Sequence, residues 1–108
     1  MLPKKSRIKR ALYGELLSGS RFIHSPHFIL RQKLITSGEC AVGVSVSKKV
    51  SKSAVTRNTI RRRVYALVSK YLFKYPNYLL LFVAKKGAEN IKGKGLETEI
   101  EQLFSELR

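Results

Sequence analysis

The apolar and polar positions of this 108-residue chain repeat with two periods, one typical of helices and one of strands. Helical spacing is clearest in one apolar stripe, made of Ile60, Val64, Leu67, Val68 and Tyr71. The same periodicity places four other residues on the opposite face: Asn58, Arg62, Tyr65 and Ser69. The pattern predicts an amphipathic helix that runs to about Phe73, with Ser51 or Ser53 as its N-cap.

Shorter segments have the alternating or continuously apolar character of strands. Four strands are predicted, at residues 21–24, 27–35, 40–46 and 78–84. In the third, Val42, Val44 and Val46 share a face that is expected to meet the core. The fourth strand is apolar from Tyr78 to Ala84, as expected for a strand that is covered on both sides.

Two further helices are predicted near the ends of the chain. The first covers residues 7–17, and Ile8, Leu12 and Leu16 form its apolar stripe. The last runs from Leu96 to Arg108, and its exposed surface is expected to carry Glu97, Glu99, Glu101 and Glu106. The order of elements is α-β-β-β-α-β-α. It predicts an α+β sandwich with a mixed four-stranded sheet, in a single domain that spans residues 1–108.

The net charge of the chain predicts the kind of partner that it binds. The chain has 22 Lys and Arg against 7 Asp and Glu, a net charge of +15, which indicates a polyanionic partner and most simply a nucleic acid. Residues 1–88 carry a net charge of +17 and residues 89–108 a net charge of −2, so the C-terminal tail is not expected to face the polyanion. Positive charge is densest around the start of the predicted central helix, where the helix dipole disfavours cations unless an anion shares the site.

Few groups in the chain could build an active site or a metal site. Before residue 89 the only carboxylates are Glu15 and Glu39, whereas a protein-based metal nuclease needs several. His24 and His27 form a His-x-x-His pair without a companion cysteine or acid, so no metal site is predicted. Cys40 is the single cysteine, which fits a reducing cytoplasm, and no apolar run has membrane-spanning length. We therefore expect a cytoplasmic protein with no catalytic residue and no membrane partner.

One segment is similar to the signature of a known family. It comprises Gly43-Val-Ser-Val-Ser-Lys-Lys-Val50, then Ala54, then Arg57-Asn58-Thr-Ile-Arg61-Arg62. This segment resembles the bacterial ribonuclease P protein subunit, in which a strand ends in a Lys-Lys pair and the next helix carries Arg-Asn-x-x-Lys/Arg-Arg. The Leu2-Pro3-Lys4-Lys5 opening and the acidic last helix also follow the order of that family.

The resemblance implies a fold and a function. The implied fold is like that of domain 2 of ribosomal protein S5, with a left-handed βαβ crossover that departs from the usual right-handed rule. The implied function is that of the small subunit of a ribozyme, whose RNA uses Mg²⁺ to remove the 5′ leader from precursor tRNA. The expected partners are one catalytic RNA for each protein and the precursor tRNA. The protein alone is expected to bind no cofactor and to be inactive.

The resemblance also assigns residues by position. Contact with the catalytic RNA is assigned to Arg57, Asn58, Arg61 and Arg62, and the RNA-binding residues Lys48, Lys49 and Lys52 are expected near this motif and near the leader or metal-rich phosphates. Arg63, by a phosphate contact, or Tyr65, by stacking, is the candidate replacement for an arginine of the family. Contact with the leader is assigned to a cleft beside the first helix and to a basic pair after the last strand, with the candidates Leu12, Leu16, Phe22, Phe28, Lys85 and Lys86. In the family two aromatic residues stand where this chain has Leu12 and Leu16, and an arginine often stands at Tyr65. Because leucine cannot stack on a base as an aromatic ring does, Phe22, Phe28 or Tyr13 is the candidate substitute.

Two other classes of function remain open from the residues. One is a structural RNA-binding protein of the ribosomal type, which composition does not distinguish from a ribozyme subunit. The other is a nuclease that acts without RNA. Cleavage of precursor tRNA by the reconstituted RNA and protein, and by the protein alone, separates the three.

Overall fold

Four strands, two helices and one 3₁₀ turn make up the part of the chain that the structure, a computed structural model, describes: residues 19–34, 41–71, 74 and 78–107. In chain order they are β1 (Arg21–His24), β2 (Phe28–Leu34), β3 (Ala41–Ser45), α1 (Ala54–Val68), β4 (Tyr78–Ala84), the 3₁₀ turn (Ala88–Asn90) and α2 (Gly93–Ser105). The predicted first helix, with Leu12 and Leu16, lies outside the described residues, as does Cys40.

The strands form one mixed four-stranded sheet, as predicted, and their order in it is β1-β2-β4-β3. β2 pairs with β1 and with β4 in antiparallel fashion, whereas β3 is parallel to β4 and places Ser45 opposite Val83. α1 makes the connection from β3 to β4. β3 and β4 run in the same direction, so their C-terminal ends lie at the same end of the sheet. The basic segments that follow them, at residues 48–49 and 85–86, therefore leave the sheet at that end.

Both helices pack on one face of the sheet, and their apolar side chains form the main hydrophobic core together with those of the strands. The strands contribute Phe28, Leu30, Val42, Val44, Leu80 and Phe82, and the helices contribute Ile60, Val64, Val68, Leu96, Ile100, Leu103 and Phe104. The ring of Phe104 stacks on that of Tyr71, with 4.7 Å between centroids, and meets Phe82 edge-on at 5.9 Å. These positions confirm the predicted apolar stripe of α1 and the inward valine face of β3.

The second face of the sheet carries a smaller buried cluster. It consists of Ala41, Leu79 and Leu81, against which Val83 packs in part. β4 is therefore buried on both faces, as its continuous apolar run predicts. Near the β1 edge of this face the side chain of Phe22 is 55% exposed.

The bounds of the helices differ from the prediction. α1 ends at Val68 rather than near Phe73, because the chain beyond it tightens into i→i−3 hydrogen bonds, including one of 2.9 Å from the Tyr71 N–H to the Val68 carbonyl. α2 begins at Gly93 instead of Leu96. The conformational freedom of Gly93 and Gly95 favours a loop, but in the structure both glycines belong to the first turn of α2.

Two predictions of exposure are wrong. Tyr65 was expected on the polar face of α1, but its side chain is only 9% exposed and belongs to the main core. A tyrosine at the border of an apolar stripe is long enough to lie over the core, so the buried stripe is wider than its aliphatic members indicate. Glu99 was expected to cover the outer surface of α2, but it is 7% exposed because its carboxylate turns to the β1–β2 connection.

Candidate nucleic-acid interface

The loop from β3 to α1 presents its lysines to solvent. Val46 and Val50 are buried in the main core, whereas Lys48, Lys49 and Lys52 are exposed. The Val50 N–H donates to the Ser47 carbonyl at 3.1 Å, which closes a turn around the two adjacent lysines. The valines thus hold the loop against the core while the cationic side chains project outward.

The start of α1 has the features of an anion-binding helix end. Ser53 is the N-cap, as predicted, and its Oγ accepts the Thr56 N–H at 3.3 Å. The first turn has no acid, and the Arg57 guanidinium donates to the Ser51 carbonyl at 2.9 Å. Free N–H groups, the positive end of the helix dipole and nearby cations together favour phosphate.

The exposed side of α1 carries the rest of the motif. Asn58 and Arg62 are exposed, and Arg61 is half-buried. The Arg61 Nη1 donates to the Asn58 Oδ1 at 2.7 Å, so this amide oxygen is occupied and the amide nitrogen is turned to donate elsewhere. Within the described residues the Arg62 guanidinium has no protein partner, which leaves all its donors for a ligand.

Three predicted contact residues have other roles in the structure. The buried ring of Tyr65 does not belong to the exposed surface of α1. Arg63 lies on the other flank of the helix, where its Nη1 donates to the Glu89 carbonyl at 3.2 Å. Phe28 is 0% exposed in the core, so it offers no surface to a leader. Only Phe22 among the described substitutes for the missing aromatic residues is exposed.

Phe22 and Arg31 form a pair on the second face of the sheet. β1 and β2 place them directly opposite each other, and the guanidinium carbon of Arg31 lies 4.8 Å from the centre of the Phe22 ring. The Arg31 Nε donates to the Ser20 Oγ at 3.1 Å, which orients the guanidinium. An exposed ring and a guanidinium plane are both surfaces on which an unpaired base stacks.

The basic pair after β4 divides into two different environments. Lys85 is half-buried, and its Nζ donates to the Ser25 carbonyl at 2.7 Å while its backbone N–H donates to the His27 carbonyl at 2.9 Å. Lys86 is exposed. The Ala88 N–H bonds the Lys85 carbonyl at 3.1 Å, which places Lys86 at the second position of a β-turn.

A buried carboxylate is bonded to the same β1–β2 connection that Lys85 contacts, and no sequence pattern indicated it. The Glu99 oxygens accept the Ser25 hydroxyl at 2.5 Å, the His27 N–H at 2.8 Å and the His27 Nδ1 at 2.8 Å. Burial alone raises the pKa of Glu99, but the bonds from Ser25 and His27 outweigh it and hold the pKa below its ordinary value of 4.5. No cluster of three His, Cys, Asp or Glu that could hold a metal occurs in the described ranges.

A mixed sheet with both helices on one face, together with an acid-free cationic loop and helix start, defines a small α+β nucleic-acid-binding protein. A sequence model of the family described as Ribonuclease P matches residues 2–108, and the chain belongs to this family. Among the parts of the chain that the structure describes, no helix is long and apolar enough to cross a membrane.

Relatives agree with this assignment, and solved structures show the same fold. The chain is 35% identical to the ribonuclease P protein component of Geobacter sp. (strain M21), over 98% of this chain and 91% of that protein. It is 31% identical to that of Geotalea uraniireducens (strain Rf4), over 97% and 93%. Its fold is similar to the RNase P proteins of Staphylococcus aureus, with a TM-score of 0.80 and 19% identity over 93% of each chain, and of Thermotoga maritima, with a TM-score of 0.82 and 13% identity over 94% and 97%.

Proposed function

We propose that this chain is the protein subunit of ribonuclease P. In this role it binds the catalytic RNA and the 5′ leader of precursor tRNA, and it assists the Mg²⁺-dependent cleavage that gives the mature 5′ end. The observation that carries the proposal is the acid-free cationic surface at the loop and start of α1, in a chain that belongs to the Ribonuclease P family.

The catalytic RNA binds this cationic surface. Folded RNA is recognised mostly by the positions of its phosphates and 2′-hydroxyls, which match exposed ammonium and guanidinium groups and a helix N-terminus. The residues that fit this role are Lys48, Lys49, Lys52, Arg57, Asn58, Arg61 and Arg62. Tyr65 and Arg63 are left out because Tyr65 is buried and the Arg63 guanidinium is bonded to the 3₁₀ turn.

The leader, a single strand, lies on the second face of the sheet. Phe22 and Arg31 supply a stacking surface there, in a family where aromatic residues of the first helix usually do so. Lys86 supplies a cation at the C-terminal end of β4, and the Lys48–Lys49 loop follows the C-terminal end of the neighbouring strand β3. The two RNA partners are thus accommodated on adjoining surfaces of one small domain.

Chemistry is assigned to the RNA and its Mg²⁺. The described carboxylates lie on the 3₁₀ turn, on α2 and at its C-cap, and that of Glu99 is engaged by Ser25 and His27. Hydrolysis of a phosphodiester by a protein metal site needs several carboxylates or imidazoles around one ion. The protein contributes positive charge and position, which lower the Mg²⁺ concentration that the ribozyme needs.

Reconstitution tests the proposal. The chain is mixed with a bacterial ribonuclease P RNA, and cleavage of precursor tRNA is followed at a Mg²⁺ concentration at which the RNA alone is slow. We expect strong stimulation by the mixture and no cleavage by the protein alone. Binding without stimulation would instead indicate a structural RNA-binding protein, and cleavage by the RNA-free protein would indicate a nuclease.

A further inference from the structure

A chain of hydrogen bonds connects the buried carboxylate of Glu99 to the turn that carries Lys86. Glu99 accepts the hydroxyl of Ser25 and both the N–H and the ring nitrogen of His27, residues 72–74 positions earlier in the chain. Ser25 and His27 in turn accept bonds from Lys85 through their carbonyl oxygens. The last helix, the β1–β2 connection and the end of β4 are therefore joined at one point.

The turn after β4 is held on both sides of Lys86. Lys85 is bonded at its backbone N–H and at its side-chain amine, so neither can swing away independently of the β1–β2 connection. Gly87, on the other side, has φ +94°, a left-handed conformation that glycine adopts without strain. Lys86 is the exposed residue between these two restrained neighbours.

Stability alone does not account for a carboxylate at this position. Removing a charge from water is costly, whereas an apolar side chain would pack between α2 and the sheet without this desolvation cost. The carboxylate adds directional bonding, because its two oxygens hold three donors of the β1–β2 connection at fixed positions. In some proteins buried ionic groups of this kind specify one arrangement of the elements that they join.

We propose that Glu99 is a positioning residue for the substrate: acting through Ser25 and Lys85, it holds Lys86 where its ammonium contacts a phosphate of the single-stranded leader. The proposal deepens the function proposed above and rests on it. Lys85, which the sequence pairs with Lys86 as a leader contact, has a different role, because its amine is already donated to the Ser25 carbonyl.

Three single variants and their combinations test the proposal in the reconstituted holoenzyme. Lys86→Met removes the proposed contact, Glu99→Gln removes the buried charge with little change in shape, and Lys85→Met removes the link between them. Glu101→Gln is the matched control, since it makes the same change of charge at an exposed position of α2. Affinity is measured for precursor tRNA with a long leader and with a leader of minimal length, and the affinity for ribonuclease P RNA is measured separately.

We expect Lys86→Met to weaken binding of the long-leader substrate by about tenfold, the scale of one charge-assisted hydrogen bond, without weakening the minimal-leader substrate or the catalytic RNA. Glu99→Gln and Lys85→Met should have the same selectivity with a smaller loss, and Glu101→Gln should not. In the Lys86→Met background, Glu99→Gln should cause no further loss, because the residue that it positions is gone.

Independent, additive losses in the double variant would overturn the proposal, as would an equal loss for both substrates. If Glu99→Gln fails to fold, Lys85→Met alone and combined with Lys86→Met gives the same comparison. The two proposals fail differently: a wild-type chain that does not stimulate the RNA contradicts the proposed function, whereas a stimulating chain that is insensitive to Lys86→Met keeps the subunit function and contradicts the leader contact of Lys86 and, with it, the role of Glu99.

Discussion

Arg62→Ala is the sharpest test of the cationic surface, because the side chain is exposed and has no protein partner within the described residues. Its removal therefore leaves the fold intact and any loss of binding is a loss of contact with RNA. Arg57 is less suitable, since its guanidinium also holds the Ser51 carbonyl.

The expected loss of affinity follows from the energy of one bond, and the expected salt dependence follows from the number of cations on that surface. One charge-assisted bond contributes about 1–3 kcal/mol, so the Kd for the catalytic RNA should rise by roughly fivefold to 150-fold. If the six cations proposed for this surface each neutralise one phosphate, log K falls with log salt with a slope of about −4, at ~0.7 for each contact. Arg62→Ala should reduce that slope by ~0.7, because one counterion fewer is released.

The assay is a binding titration of ribonuclease P RNA at several salt concentrations. Lys70→Ala is the control, since Lys70 is exposed beyond the C-terminal end of α1 and lies eight residues, or about 12 Å along a helix, from Arg62. Arg62→Lys tests whether charge alone is enough or whether the guanidinium geometry matters. An unchanged slope and affinity for a folded Arg62→Ala protein, or an equal effect of Lys70→Ala, would refute the assignment of this helix face to RNA.

Three other outcomes are expected. Arg57→Ala should weaken RNA binding and also lower the thermal midpoint, because a phosphate contact and the bond to the Ser51 carbonyl are lost together; a normal midpoint would show that this bond does not support the loop. Ser53→Ala should lower the free energy of unfolding by about 1 kcal/mol in urea titrations, the usual effect of losing an N-cap, and no loss would mean that the cap is replaced by water. The folded-state pKa of Glu99 is depressed, so its contribution to stability is present above pH 4.5 and is lost as the pH falls through the lower folded-state value. The stability difference between wild type and Glu99→Gln should therefore shrink on acidification below pH 4.5, and a difference independent of pH would contradict the ionised carboxylate.

The sequence predicted well those features that depend on neighbours along the chain. The apolar stripe of Ile60, Val64 and Val68, the inward valines of β3 and the doubly buried β4 all follow from period alone, because periodicity states which side chains share a face. The N-cap at Ser53 and the exposed lysines of the basic loop are equally local. The resemblance of the Arg-Asn segment to one family was confirmed by the match over residues 2–108.

Tertiary structure decided the environment of residues whose partners are distant in sequence. Periodicity assigned Glu99 to the outer surface of α2 and paired Lys85 with Lys86, but it contains no information on which group from another element approaches each one. The β1–β2 connection supplies three donors to Glu99 and two acceptors to Lys85, so one becomes a buried anion and the other a fixed cation. Burial of a charge is favourable only where such partners converge, and that convergence exists only in the folded chain.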